Sequence, residues 1–338
     1  MSAQTAESWF SPDSSTRLYT KTWAPPSGTD IRARLAFVHG FSDHCNAYYN
    51  LFPSLASRGI IVHAFDQRGW GQSVLHKSQR GDSGPTRTVL SDIRSFLNHI
   101  ASLSEASVNG QSFASTPLFL MGHSMGGGEV LLLSLLQSQQ DQVPPISGIL
   151  LESPYIALHP SAQPSTFTIR AGTLAAKILP KYPRLEKLDA KKVCRDPQVC
   201  RDWEEDELCH DTGTLEGLAE MVQRAADLTS LANGQTVRGL GLKTTLGIQQ
   251  PGSESLPIWI GHGTGDLVTS CLHSQTMFEK LDVKDKSIKL YEGAYHKLHA
   301  EPYGVAEEFA NDVAKWILER TDLGRHEAGD ENDIRPKL

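Results

Sequence analysis

The chain has 338 residues and a net charge of -7, from 32 lysines and arginines against 39 aspartates and glutamates. No concentrated basic run favours a nucleic-acid partner, and no apolar run reaches the ~20 residues of a membrane-spanning helix. The first ten residues, MSAQTAESWF, lack the basic and apolar regions of a signal peptide. These features predict a cytoplasmic protein that acts on a small or neutral substrate.

Cysteine usage is informative about redox state and metals. The five cysteines form an odd set without CxxC spacing, which favours free thiols in a reducing compartment over a disulfide framework. Cys194, Cys200 and Cys209 lie near His210, but their spacings do not match structural zinc sites. We therefore expect no metal.

The first predicted element is a hairpin. In ESWFSPDSSTRLYTKTWAPP, aromatic and polar residues alternate on both sides of the turn former SPDSS, and two prolines end the pattern. Prolines at this point favour the edge of a sheet over its centre. We expect this hairpin to be an edge of the sheet.

Apolar runs of strand length then recur along the chain, and helical stretches follow them. Because the runs are continuous rather than alternating, they predict strands covered on both faces, hence an α/β fold with a mostly parallel central sheet and helices on both faces. The runs are RLAFVHG, IIVHAFD, PLFLMG, ISGILLES, LPIWIGHG and SIKLYEG.

The alternation of predicted strands and helices stops after Pro154 and resumes at Leu256. We therefore predict an α/β core in two parts, residues 1–154 and 236–322, with an inserted helical cap at 155–235. The glycine-rich stretch NGQTVRGLGLKTTLGIQQPGSES is predicted to be a loop, and apolar residues at helical spacing predict a last helix from Pro302 to about Arg320. The charged segment 323–338 predicts a disordered tail.

The motif Gly122-His123-Ser124-Met125-Gly126 lies at a predicted junction between a strand and a helix. A G-x-S-x-G motif in this context is typical of a nucleophile elbow, in which a strained turn presents the serine. A phosphate loop would need Gly-Lys-Ser/Thr, and a dinucleotide loop would need G-x-G-x-x-G. Neither is present, so Ser124 is the predicted nucleophile.

A serine nucleophile needs a base and an acid that orients the base, and on this fold they follow the serine in the order acid, histidine. Asp266 follows the strand LPIWIGHG, and His296 follows the strand SIKLYEG. Asp66 also ends a strand but precedes the serine, and His299 is the close rival of His296. Four other histidines in or beside strands are expected to be structural: His39, His63, His123 and His262.

Acyl transfer also needs two donors for the oxyanion of the tetrahedral intermediate. The backbone N–H of Met125, directly after the nucleophile, is one candidate. The loop after the strand RLAFVHG supplies the other, the N–H of Phe41.

With these parts in place, the chain resembles an α/β-hydrolase over nearly all of residues 7–320. Within that fold it is similar to the monoacylglycerol lipases, particularly their fungal branch. The stretches that support the resemblance are HGFSDH, FDQRGWGQS, GHSMGGG and YEGAYHKLH. The resemblance implies an enzyme that releases a fatty acid and glycerol from monoacylglycerol without a cofactor.

The same resemblance implies where the glycerol half of the substrate binds. Residue by residue, the positions fall on Asp43, His299 and, in the cap, Trp203. Two departures affect this side of the site: Ala47 stands where family members often have arginine, and Glu207 replaces the proline of an Asp-Pro-Leu motif.

An acyl chain also needs an apolar tunnel, for which the cap offers Ile156, Leu158, Leu174 and Ile178. The alternative is that these four side chains only pack the cap onto the core. An apolar outer face of the cap would permit peripheral contact with a lipid droplet or with the endoplasmic reticulum membrane.

Other functions on the same fold stay open. They include a lysophospholipase, a general carboxylesterase, an acyltransferase and a proline iminopeptidase, in which Asp43 would bind a free N-terminus. A binding protein that has lost catalysis would have a broken triad, and here each triad residue stands in its expected loop.

Overall fold

The computed structural model describes residues 2–103, 107–108, 111–112, 116–136, 143–233, 235 and 255–330. Eight strands within these residues form one sheet. They are β1 Gln4–Asp13, β2 Thr16–Ala24, β3 Ala33–Val38, β4 Ile60–Phe65, β7 Leu118–His123, β8 Gly148–Glu152, β11 Ile258–Gly263 and β12 Lys286–Tyr291. Two short antiparallel pairs lie outside it: β5 Ser107–Val108 with β6 Gln111–Ser112, and β9 Pro183–Leu185 with β10 Thr212–Thr214.

The spatial order of the sheet is β1-β2-β4-β3-β7-β8-β11-β12. The six strands from β4 to β12 are parallel, whereas β1 and β2 form an antiparallel hairpin at one edge. The predicted hairpin and the mostly parallel sheet are both confirmed. This arrangement is the α/β-hydrolase fold that the resemblance implies.

Helices cover both faces of the sheet because its central strands are apolar on both sides. The helices are α1 Leu51–Ala56, α2 Thr86–Ser102, α3 Met125–Leu136, α4 Thr166–Ile178, α5 Ala190–Val193, α6 Pro197–Glu205, α7 Leu215–Ala232, α8 Cys271–Lys280 and α9 Val305–Asp330. In β7, Leu120 packs with α2 and α3 on one face, while Phe119 packs with α1 and α9 on the other. In the described part of the chain, no helix combines the length and apolarity needed to cross a membrane.

The segment between β8 and β11 contains α4 to α7 and the pair of β9 and β10. Side chains at the N-termini fix where its helices begin: Ser165 caps α4, Asp196 caps α6 and Thr214 caps α7. The bounds 155–235 for a cap stay a prediction. The glycine-rich stretch predicted to be a loop falls almost entirely outside the described residues.

The last helix differs from its prediction. It begins at Val305 and continues to Asp330, so the first eight residues of the segment 323–338, predicted to be disordered, are helical. The physical reason is that no proline interrupts the helix before Pro336, and a helix that already exists can continue past Gly324 and Gly329 because propagation is easier than nucleation. Residues 331–338 lie outside the described residues.

Candidate active site

Ser124 stands alone between the end of β7 and the start of α3, in the left-handed conformation with φ 54°. The turn is so tight that a Cβ atom on Gly122 would lie 2.4 Å from the carbonyl oxygen of Gly126. A Cβ atom on Gly126 would lie 2.4 Å from the carbonyl oxygen of Val38. Glycine is therefore required at both positions, and the strained turn presents the serine as an elbow.

The structure brings Ser124, His296 and Asp266 together in one hydrogen-bonded chain. Nε2 of His296 lies 2.8 Å from Oγ of Ser124, and Nδ1 of His296 lies 2.7 Å from Oδ2 of Asp266. Asp266 follows β11 and His296 follows β12, so neighbouring parallel strands deliver acid and base to the same edge of the sheet. The geometry permits proton transfer from the hydroxyl to the imidazole.

The Asp266 carboxylate is held in its ionised form. Burial opposes the charge, but the His296 imidazole and a second imidazole, His262, outweigh it and hold the pKa of Asp266 well below its usual value. Oδ1 accepts the backbone N–H groups of Val268 and Thr269 at 2.7 and 3.0 Å, and Oδ2 accepts the Thr269 hydroxyl at 2.9 Å. The acid is thus fixed in position before substrate arrives.

His262 and Thr269 contact Asp266, although neither residue is predicted to belong to the site. Nε2 of His262 lies 3.1 Å from Oδ2 of Asp266, and its Nδ1 lies 2.8 Å from the Ser274 hydroxyl. Their positions four residues before and three residues after the acid are the signal that could have identified them.

The loop after β3 approaches the nucleophile closely. A Cβ atom on Gly40 would lie 3.1 Å from Cβ of Ser124. Nε2 of His39 accepts the backbone N–H of Gln67 at 2.8 Å, so its Nδ1–H donates to the Gly40 carbonyl, also at 2.8 Å. Burial lowers the pKa of His39, which keeps the ring neutral as this pattern requires.

This bond from His39 fixes the peptide plane that joins Gly40 to Phe41. In a trans peptide the N–H points opposite to the C=O, so the N–H of Phe41 points away from His39. Phe41, Ser124 and Met125 all line one cavity. His39, predicted to be structural, therefore sets the orientation of a predicted oxyanion donor.

The cavity above Ser124 has a volume of about 380 Å³. Much of its wall is apolar and comes from both the core and the segment between β8 and β11. Apolar lining residues include Leu158, Ile169, Leu215, Leu218, Met221, Val222, Leu267 and Val268, and charged ones are Arg184, Glu186, Lys187, Asp189 and Lys192.

Of the four residues predicted to form an acyl tunnel, only Leu158 lines this cavity. Ile156 is 1% exposed and packs in the main core, while Leu174 and Ile178 are 62% and 70% exposed. The reason is helical geometry, since α4 turns a different face to the cavity. Its lining residues are Thr168, Ile169, Gly172 and Thr173.

The three residues predicted for the glycerol side do not belong to the described lining of the cavity. All are buried against protein partners. The Asp43 carboxylate accepts hydrogen bonds from the Tyr48 hydroxyl at 3.2 Å and from Nζ of Lys297 at 3.1 Å. Nδ1 of His299 lies 2.7 Å from Oε1 of Glu152.

Trp203 is also turned away from the cavity, because its indole N–H donates to the carbonyl of Ser42 at 2.9 Å. It is 6% exposed. The motifs located Asp43, His299 and Trp203 in the sequence, but a motif does not determine whether a side chain faces the cavity or the protein interior.

Known proteins provide an independent comparison. A family model described as serine aminopeptidase, S33, matches residues 29–303. A Schizosaccharomyces pombe protein named "Putative monoglyceride lipase" is 31% identical over 90% of this chain and 72% of its own length. The monoglyceride lipase of Saccharomyces cerevisiae is 28% identical over 88% of this chain and 89% of its own length.

A solved structure supports the fold. The crystal structure of a soluble variant of monoglyceride lipase from Saccharomyces cerevisiae, in complex with a substrate analog, matches with a TM-score of 0.78. The match covers 93% of this chain and 94% of the other, at 24% sequence identity.

Proposed function

The chain belongs to the serine aminopeptidase S33 family of hydrolases, and we propose that within this family it cleaves monoacylglycerol to glycerol and a free fatty acid. The observation that carries the proposal is the chain of hydrogen bonds from Ser124 through His296 to Asp266, at the wall of a largely apolar cavity. The relatives named as monoglyceride lipases support the choice of substrate.

The reaction proceeds through an acyl-enzyme. Oγ of Ser124 attacks the ester carbonyl while Nε2 of His296 accepts its proton, and Asp266 stabilises the resulting imidazolium. The N–H groups of Phe41 and Met125 bind the oxyanion. Protonated His296 then gives its proton to the departing glycerol, and a water activated by His296 releases the fatty acid.

The acyl chain occupies the apolar part of the cavity. Leu158, Ile169 of α4, and Met221 and Val222 of α7 all line the cavity. Burial of each methylene of the chain stabilises binding by about 0.8 kcal/mol. This preference selects a long-chain ester over a short one.

A second candidate is a lysophospholipase. Lys187 and Lys192 are among the lining residues, and an ammonium group there would attract the phosphate of a lysophospholipid headgroup. Glu186 and Asp189 line the same cavity and oppose this attraction. A general carboxylesterase or an acyltransferase would use the same triad.

The experiment is fatty acid release from a long-chain monoacylglycerol, compared with the matched diacylglycerol, a lysophospholipid and a short p-nitrophenyl ester. We expect a strong preference for monoacylglycerol that Ser124→Ala abolishes. Activity confined to short esters would exclude the lipase assignment, and preference for the lysophospholipid would favour the second candidate. Activity unchanged in Ser124→Ala would exclude the proposed nucleophile.

We further propose that the enzyme meets its substrate at a lipid surface, such as a lipid droplet or the endoplasmic reticulum membrane, from the cytoplasm. The outer face of α4 supports this, since Phe167, Leu174 and Ile178 are 82%, 62% and 70% exposed. Lys177 and Lys181 lie near these side chains in the sequence. Exposed apolar side chains with nearby lysines are typical of helices that lie in a membrane interface.

Sedimentation with phosphatidylcholine vesicles tests this surface. Replacing Leu174 and Ile178 together by serine removes apolar area, so we expect binding at least about tenfold weaker. Leu272→Ser is the matched control, because Leu272 is 67% exposed on α8. Equal sedimentation of wild type and the double variant would contradict docking through α4.

A further inference from the structure

Ser42, the residue directly after the predicted oxyanion donor Phe41, has an unusual backbone. Its φ is 51°, and its side chain is fully buried. Residues other than glycine adopt this left-handed conformation rarely, and it persists only where surrounding contacts hold it. The contacts of Ser42 therefore bear on the shape of the oxyanion loop.

Two hydrogen bonds hold Ser42, one from α6 and one from the loop between α6 and α7. The indole N–H of Trp203 donates to the Ser42 carbonyl at 2.9 Å. The backbone N–H of Asp211 donates to the Ser42 hydroxyl, also at 2.9 Å. Trp203 is itself fixed by packing against Ala190 and Cys209.

The next two residues of the loop are held as well. The Asp43 carboxylate pairs with Nζ of Lys297 at 3.1 Å, and Nε2 of His44 lies 2.8 Å from Oδ2 of Asp206. The side chains of Asp43, Lys297 and His44 are nearly inaccessible to solvent, whereas Asp206 is partly exposed. The loop is thus anchored along its length after Phe41.

Two fixed peptide planes flank the dipeptide Phe41-Ser42. His39 fixes the plane that joins Gly40 to Phe41 through the Gly40 carbonyl, and Trp203 fixes the plane that joins Ser42 to Asp43. An oxyanion donor contributes only if its N–H points at the position where the oxyanion forms, and a displacement of 1 Å can cost about 100-fold in rate.

We propose that Trp203 is a positioning residue of the oxyanion hole, which acts by holding Ser42 and thereby the N–H of Phe41. The inference rests on the proposed serine hydrolase reaction and extends it. The segment that carries Trp203 is then part of the catalytic apparatus and not only a cover for the acyl chain.

The test replaces Trp203 by phenylalanine, which keeps an aromatic ring but removes the N–H donor. The matched control is Trp316→Phe, because the indole N–H of Trp316 is buried and has no partner among the described residues. Hydrolysis of a short p-nitrophenyl ester gives kcat and KM. An alkyl boronic acid, whose adduct with Ser124 is a tetrahedral anion, reports the oxyanion hole directly.

We expect Trp203→Phe to lower kcat about 10- to 100-fold with KM within about twofold of wild type. The affinity for the boronic acid should fall by a similar factor, because the donor matters only when the oxyanion is present. Trp316→Phe should leave all three quantities within about twofold.

The proposal is overturned if Trp203→Phe keeps wild-type kcat, or if kcat falls while the boronic acid binds as tightly as before. Should Trp203→Phe fail to fold, Trp203→Met, a flexible apolar side chain that also lacks the N–H donor, is subject to the same two criteria. Failure of the proposed function has a different signature, namely ester hydrolysis that survives Ser124→Ala.

Discussion

Asp266 determines which nitrogen of His296 bears the proton. Its carboxylate accepts the Nδ1–H, so Nε2 is left to accept the proton of Ser124. Asp266→Asn presents a donor in place of one carboxylate oxygen and favours the wrong tautomer. We expect kcat for the ester to fall about 10⁴-fold with little change in KM.

Steady-state kinetics check this prediction, with Asp282→Asn, an exposed aspartate, as the control. A loss of less than about tenfold in Asp266→Asn would show that another group orients His296. Thr269 is the group to examine in that case, since its hydroxyl lies 3.2 Å from Nδ1 of His296.

His63 provides a prediction about stability and pH. Burial lowers its pKa from 6.5 to about 3, so the ring is neutral in the fold and its Nδ1 lies 3.0 Å from the Thr22 hydroxyl. A group with a lowered pKa in the fold contributes stability above its unfolded pKa and loses it as pH falls. Between pH 6.5 and about 3 the loss is roughly 1.4 kcal/mol per pH unit.

Urea unfolding of wild type and His63→Asn at pH 7 and pH 5 measures this contribution. We expect wild type to lose about 2 kcal/mol more than the variant between the two pH values. Equal losses in both proteins would mean that His63 is protonated in the fold.

Single residues were predictable from the sequence where chain order restricts the choice. Ser124, Asp266 and His296 each follow a strand in the order that this fold requires, and the structure brings them into contact. Trp203 was not predictable in the same way. Its contact with Ser42 spans 161 residues, and no local pattern encodes which atom an indole N–H will meet.

At the scale of elements, a buried ion pair joins the helix after the nucleophile to the segment above it. Nη2 of Arg224 in α7 lies 2.8 Å from Oε1 of Glu129 in α3, and the two side chains are 4% and 1% exposed. Burial raises the pKa of Glu129 to about 7, against the opposing charge of Arg224. The pair fixes α7 on α3.

Replacing Arg224 by methionine leaves the Glu129 carboxyl buried without its partner. We expect the free energy of unfolding to fall by about 3 kcal/mol, and the double variant with Glu129→Gln to recover a large part of this loss. Urea unfolding measures both. Lys315→Met is the control, since the pair of Lys315 and Glu319 is exposed, and a loss there as large as in Arg224→Met would contradict the prediction.

Most elements of the core were predictable because their pattern is local. Continuous apolar runs flanked by turns indicated six parallel strands, and all six are present. The predicted end of the last helix near Arg320 is wrong, because charge and low hydropathy do not by themselves end a helix. A charged stretch without proline can continue an existing helix, because propagation is far easier than nucleation.

For the molecule as a whole, we expect the cavity between α4, α7 and the core to set which acyl chains fit. Gly172 lines it, and a Cβ atom on this residue would meet nothing within 4 Å. Gly172→Phe fills this space. We expect kcat/KM for long-chain monoacylglycerols to fall at least about tenfold, with short p-nitrophenyl esters within about twofold of wild type.

A series of monoacylglycerols of increasing chain length measures the effect. Ala171→Phe is the control on the same helix, because Ala171 is exposed and does not line the cavity. A uniform loss over all chain lengths in Gly172→Phe would place the acyl chain elsewhere.

The central claim is that monoacylglycerol is cleaved through an acyl-enzyme on Ser124. The most direct measurement is mass spectrometry of peptides from enzyme quenched in acid during turnover of a long-chain monoacylglycerol. We predict that the peptide containing Ser124 carries the mass of the acyl group, and that Ser124→Ala carries none. Turnover without acylation in wild type, or acylation of another residue in Ser124→Ala, would contradict the account.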